Sequence, residues 1–318
     1  MTFSFRPAVR ENVGLLIGLA GASGSGKTYT AMRLATGIAG GKPFAVIDTE
    51  AGRAKHYADA FKFDHGDLRP PFSPHAYAEA ITAADAAGYS CIIVDSCSHE
   101  HAGEGGILDM QEAEFERLGR KEASKMLSWA KPKGEHKKMV QRLLQVRAHL
   151  ILCFRAEEKI EMARNSEGKM EVRKKVTAIG LDGWQPICEK NLPYELTASF
   201  LLMASRPGIP MPIKLQEQHR ALFPLDKPIT EESGRLIAQW AAGGNAATSS
   251  RPEPATVAPT GSPALITADQ VVELETACAD AGIDVDTLKA RAKIARLALL
   301  EAHRFAGCLA WISKQATL

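Results

Sequence analysis

Residues 13–28 read VGLLIGLAGASGSGKT. The first eight are almost all apolar, the pattern of a strand covered on both faces. Residues 21–28 fit G-x-x-x-x-G-K-[ST], and residues 27–39 continue with helical periodicity. Strand, glycine loop, then helix is the arrangement that wraps a phosphate. Gly21, Gly24 and Gly26 let the backbone approach an anion closely, with Ser23 and Ser25 between them. The amides at the start of the helix then face the anion. Lys27 reaches toward β- and γ-phosphates, and Thr28 offers a hydroxyl to Mg²⁺. ATP and Mg²⁺ are the expected ligands.

Two further apolar runs end in acids. Residues 90–96, SCIIVDS, deliver Asp95, the expected second Mg²⁺ ligand. Residues 43–53, PFAVIDTEAGR, deliver Asp48 and Glu50. Hydrolysis needs a group to orient or deprotonate water. Asp95 is followed by Ser96, not by a glutamate, so that group must come from another strand. Ligands of open parallel sheets gather at the carboxyl ends of the strands. Glu50 is therefore the candidate base. The competing reading makes it a turn carboxylate or a partner for Arg53.

These strands, with 149–154 (HLILCF), alternate with helical stretches at 27–39, 74–87 and 108–147. That order predicts an α/β fold with a mostly parallel sheet and helices on both faces. Segments 170–178, 198–204 and 211–215 read as shorter strands or hairpins. Residues 230–241 read as a helix capped by Thr230.

The segment PFAVIDTEAGRAKHYAD resembles the matching part of the RecA recombinases, where a strand ends in Asp-x-Glu. The spacing from phosphate loop to Glu50 to Asp95 is similar too. The resemblance covers about residues 13–155 and implies a RecA-like P-loop core. It implies that Gly21, Gly26, Lys27, Thr28, Glu50 and Asp95 take the RecA-type roles, with Glu50 as hydrolytic base. RecA proteins carry an Asn-Gln pair after the fourth core strand, whereas HLILCF leads here into Arg155. The layout looks closer to compact bacteriophage RecA-like ATPases of the single-strand-annealing type. That resemblance implies single-stranded DNA as a partner, a homo-oligomer and a cytoplasmic location in a bacterial host.

Net charge is only +2, so any nucleic-acid surface must be local. Residues 117–142 hold nine Lys+Arg against two Asp+Glu, including Lys131, Lys133, Lys137 and Lys138, with Trp129 among them. Such a segment is either a DNA-binding face or a solvated helix face with a core tryptophan. Residues 155–175 hold seven bases and five acids, densest at Arg173-Lys174-Lys175. This segment offers DNA contacts, or a basic residue, Arg155 among the candidates, that reaches a neighbouring subunit's γ-phosphate or senses the nucleotide.

No apolar run approaches the ~20 residues that cross a bilayer, and the N-terminal residues lack a signal-peptide core. Six scattered cysteines form no CxxC pair and read as reduced. His99 and His101 of the HEH triplet lack a downstream ligand set. Residues 243–264 read as a flexible linker between a core, 1–242, and a small helical module, 265–318. In the module, Thr267 and Gln270 have capping-box spacing, and further helices are expected near 286–300 and 301–315. A tethered module suits recruitment, and by family resemblance its target is a single-stranded-DNA-binding protein or a nuclease.

Three functions compete. The first is an ATPase acting on single-stranded DNA in recombination or annealing. The second is a replication or packaging loader or motor stimulated by a protein partner. The third is a nucleotide-gated binding module with little turnover. A small-molecule kinase fits less well, because kinases exclude water from the γ-phosphate.

Overall fold

The computed structural model describes residues 8, 10, 13–164, 168–177, 179–243 and 265–315. The chain forms two compact units, Met1–Ala246 and Ala247–Leu318. Beyond Gly243, the expected linker lies outside the described residues.

In the first unit the elements run β1 (Leu16–Gly21), α1 (Lys27–Ala39), β2 (Phe44–Asp48), β3 (Phe63–Asp67), α2 (Pro74–Ala86), β4 (Cys91–Asp95), α3 (His99–Ala102), α4 (Ile107–Arg117) and α5 (Ala130–Leu143). They continue with β5 (His149–Glu158), β6 (Ile160–Arg164), β7 (Met170–Lys174), β8 (Trp184–Pro186), α6 (Leu192–Glu195), β9 (Ala198–Met203), β10 (Arg206–Leu215), α7 (Glu217–Arg220) and α8 (Glu231–Ala241).

The main sheet has the order β10-β9-β1-β5-β4-β2-β3, with β8 pairing to β5. All pairs are parallel except β10 on β9 and β8 on β5. Alternate strand residues feed two cores. On β4, Cys91 and Ile93 join α1 and α8, while Ile92 and Val94 join α2 and α5. This two-sided burial is why the strands are apolar throughout. The predicted α/β architecture is present.

The closest helix packing is between α1 and α8. A Cβ on Gly37 would lie 1.9 Å from the Glu231 carbonyl oxygen, and one on Gly234 would lie 2.2 Å from that of Leu34. Arg33 clamps the seam with both N–H groups on the Glu231 carboxylate, at 2.8 and 2.7 Å.

Several local expectations are revised. The helix expected over 108–147 is broken, because Gly119 (φ 77°) and Arg120 (φ 53°) turn the chain through the left-handed region. Strand β3, FDHGD, has no apolar run in its sequence; it is an edge strand with only one neighbour and needs none. Strand β5 extends past residue 154 to Glu158. The extension then leads to the β6–β7 hairpin, which forms its own two-stranded sheet. No described helix is long and apolar enough to cross a membrane. The six cysteines are free, and Cys91 and Cys153 are buried in β4 and β5.

The second unit contains α9 (Ala268–Asp280), α10 (Val285–Ala292) and α11 (Phe305–Gln315). The capping box is formed: the Thr267 hydroxyl accepts from the Gln270 amide, and the Gln270 side chain accepts from the Thr267 amide. The second helix is shorter than expected, ending in a left-handed Lys293 (φ 56°). Leu274, Cys278, Leu288, Leu300 and Ile312 form this unit's own core.

Candidate active site

Placing β5 between β1 and β4 sets the ends of β1, β4 and β2 in a row with the middle of β5. Gly21 pairs with Arg155, Cys153 with Asp95, and Asp95 with Asp48. Residues far apart in the chain therefore meet around a cleft of about 880 Å³ at the carboxyl edge of the sheet.

The phosphate loop has the conformation its glycines permit. Gly24 (φ 76°) and Gly26 (φ 83°) are left-handed, a region that side chains with a Cβ resist. Ser25 is buried, and its hydroxyl donates to the Ala22 carbonyl at 2.8 Å, fixing the loop from inside. Ser23 lines the cleft. The Lys27 ammonium also donates to the Ala22 carbonyl, at 2.8 Å. Burial pushes Lys27 below its usual pKa, with Asp95 and Glu50 among the groups opposing that shift.

Thr28 donates a short hydrogen bond to the Asp95 carboxylate. Burial pushes Asp95 up to about 6, although Thr28 works against it. A hydroxyl and a buried carboxylate, both hard oxygen donors, meet beside the phosphate loop. This donor set fits Mg²⁺, which takes one or two protein oxygens and leaves the rest to phosphate and water.

The two acids ending β2 have different surroundings. Asp48 is buried and builds the loop: its carboxylate accepts from the Glu50 amide at 2.6 Å and the Ala54 amide at 2.9 Å, and contacts His65 at 3.1 Å. Glu50 faces the cleft. One carboxylate oxygen accepts from Arg155 Nη2 at 2.7 Å and Nε at 3.2 Å. The other accepts from Arg53 at 2.7 Å. Burial raises the Glu50 pKa, but the two guanidiniums outweigh it and hold the carboxyl below its usual value.

Thr49, between these acids, ties β2 to β4. Its amide donates to the Asp95 carbonyl at 2.9 Å, and its hydroxyl accepts from the Ser96 amide at 2.8 Å. His99 contacts the same hydroxyl at 2.8 Å. Glu100 is fully buried against His136, 2.9 Å away. Among the described residues, no group of three or more His, Cys, Asp or Glu could hold a metal.

Tyr29, Tyr57 and Trp184 also line the cleft. The Tyr29 and Tyr57 rings lie 6.0 Å apart. The only advance signal was that Tyr29 directly follows Thr28.

The basic candidates fall into two environments. On α5, Pro132, His136, Met139 and Leu143 are buried, while Lys131, Lys133, Lys137 and Lys138 are exposed. Lys131, Lys133 and Lys137 make no ion pair among the described residues, and Lys133 lies over the Trp129 ring at 5.7 Å. On and beside the hairpin, Arg173 pairs with Glu161 at 2.8 Å and Lys174 with Asp182 at 2.9 Å. Lys175 is exposed just after β7. Arg155 is turned onto Glu50 of its own chain.

A glycine phosphate loop, a hydroxyl–carboxylate pair and a parallel sheet with this site at its carboxyl edge define a P-loop nucleoside triphosphatase. The sequence profile described as an AAA domain matches residues 14–183, more than half the chain, and the chain belongs to that family of P-loop ATPases. No curated protein matches the chain.

Proposed function

We propose that this chain is a RecA-like, ATP-hydrolysing enzyme that acts on single-stranded DNA in recombination or annealing. The observation that carries the reading is the convergence of Lys27, the Thr28–Asp95 pair and Glu50 on one cleft. Lys27 and the loop amides bind the β- and γ-phosphates. Thr28 and Asp95 would hold Mg²⁺, which when bound would supply charge neutralisation at the phosphates. Glu50 orients and deprotonates the attacking water. Tyr29 and Tyr57 give the base an aromatic wall. Arg155 acts as the sensor that holds or frees Glu50. The exposed α5 lysines supply the DNA face, and the protein works as a homo-oligomer.

Glu50 has both carboxylate oxygens engaged by arginines. That observation favours a second reading, a nucleotide-gated binder with little turnover. ATP turnover with and without single-stranded DNA separates the two. The enzyme reading expects DNA stimulation that is lost in Glu50→Gln with ATP binding intact. The binding reading expects negligible turnover throughout.

A further inference from the structure

The C-terminal unit carries a concavity of its own, about 500 Å³, between α10 and α11. Trp311 and Cys308, both half-buried, form its apolar wall over the buried Leu288, and Arg291 and Arg304 stand at its edge. The unit is electrically divided. Helix α9 bears four exposed acids, Asp269, Glu273, Glu275 and Asp280, and no base. From the start of α10 to residue 304, Lys289, Arg291, Lys293, Arg296 and Arg304 stand against Asp286, which pairs with Lys289, and Glu301.

Neither arginine of the concavity pairs with a carboxylate among the described residues. The Arg291 guanidinium lies 4.9 Å over the Trp311 ring, which orients it without neutralising it. Arg304 donates one N–H to the Ala292 carbonyl at 3.0 Å, leaving other donors unspent. Gly307, exposed in the lining, leaves room beside it: an added Cβ would meet no atom within 4 Å.

We propose that this concavity docks a short acidic peptide segment that inserts one large apolar side chain. The apolar group packs against Trp311 and Cys308, and its flanking carboxylates take the two guanidiniums. Charge complementarity selects this occupant. A small inorganic anion would use the arginines but leave the apolar walls unfilled. An extended nucleic-acid strand would run on to the acids of α9, which packs against α11, whereas a short peptide stays at the two arginines. The proposal is independent of whether the first unit hydrolyses ATP.

The test uses the full chain and a fluorescein-labelled Asp-Asp-Asp-Asp-Leu-Phe peptide, read by anisotropy. The expected result is saturable binding, with the Asn-for-Asp counterpart about tenfold weaker or worse. Arg291→Glu should weaken binding about tenfold or more. Gly307→Leu should fill the concavity and abolish binding without lowering Tm. The wild-type comparison of the two peptides stands even if a variant fails to fold. Absence of saturable binding would overturn the proposal, as would equal affinity for the Asn peptide or an unaffected Arg291→Glu. Displacement of the peptide by oligo-dT would assign the site to nucleic acid and overturn it as well.

Discussion

The Arg155 guanidinium places two N–H donors on one carboxylate oxygen of Glu50, 105 positions away in sequence, with its Nη2 at 2.7 Å. This contact joins β5 to the loop after β2. It holds the proposed base ionised and makes it a weaker base. Release of Glu50 from Arg155 is then a natural control point for turnover.

A pH profile reads this contact. Glu50 must be ionised to act as base, so activity falls as pH drops through its pKa. Arg155 holds that pKa down. Arg155→Ala should therefore move the acid limb of the kcat/KM profile to higher pH. An unmoved limb would mean that another group sets it, Asp95 with its pKa pushed up to about 6 being the first to test by Asp95→Asn.

The α1–α8 seam makes a stability prediction. Gly37→Ala drives a methyl into the Glu231 carbonyl and should cost about 1–3 kcal/mol or more. Gly134→Ala, in α5, meets nothing within 4 Å and should stabilise by about 0.5–1 kcal/mol. Urea unfolding of the two variants checks both signs.

His149 should contribute an acid-sensitive term. Its Nδ1 accepts from the Leu15 amide at 3.1 Å, and burial lowers its pKa from 6.5 to about 4. The neutral ring is favoured in the fold. Its stabilisation is complete above the unfolded value and is lost as pH falls through the folded value. The loss amounts to about 3 kcal/mol between neutral pH and pH below 4. His149→Asn keeps an acceptor without the titration, so its denaturation midpoint should fall less steeply over that range.

DNA binding should depend on α5 more than on the hairpin. Lys131→Ala, Lys133→Ala and Lys137→Ala should each lower the salt slope of single-stranded DNA affinity by about 0.7. Arg173→Ala and Lys174→Ala should change it less, because Glu161 and Asp182 already neutralise those groups. A filter-binding salt titration that ranked the hairpin first would move the DNA face.

How much of this was legible in the sequence follows from how local each feature is. The phosphate loop, Asp95 and the Thr267 capping box are written in short consecutive stretches. The acids after β2 were visible, but their division of labour was not. Asp48 is committed to the loop by amides of residues 50 and 54, which only the folded turn brings to it. Edge strand β3 carries two acids and a glycine in five residues, so it showed no strand pattern. The Arg155–Glu50 contact and the Tyr29–Tyr57 wall depend on strand order and helix placement, which no window of sequence encodes. The break after Arg117 hinged on Gly119 in a stretch otherwise rich in helix formers.

The most direct test is ATP turnover by wild type and Glu50→Gln, with and without single-stranded DNA, alongside ATP binding. The proposed function predicts DNA-stimulated turnover in the wild type. It predicts a loss of about 10²–10⁴-fold in Glu50→Gln with ATP binding retained. Turnover that survives the substitution, or is absent from the wild type in both conditions, would contradict it.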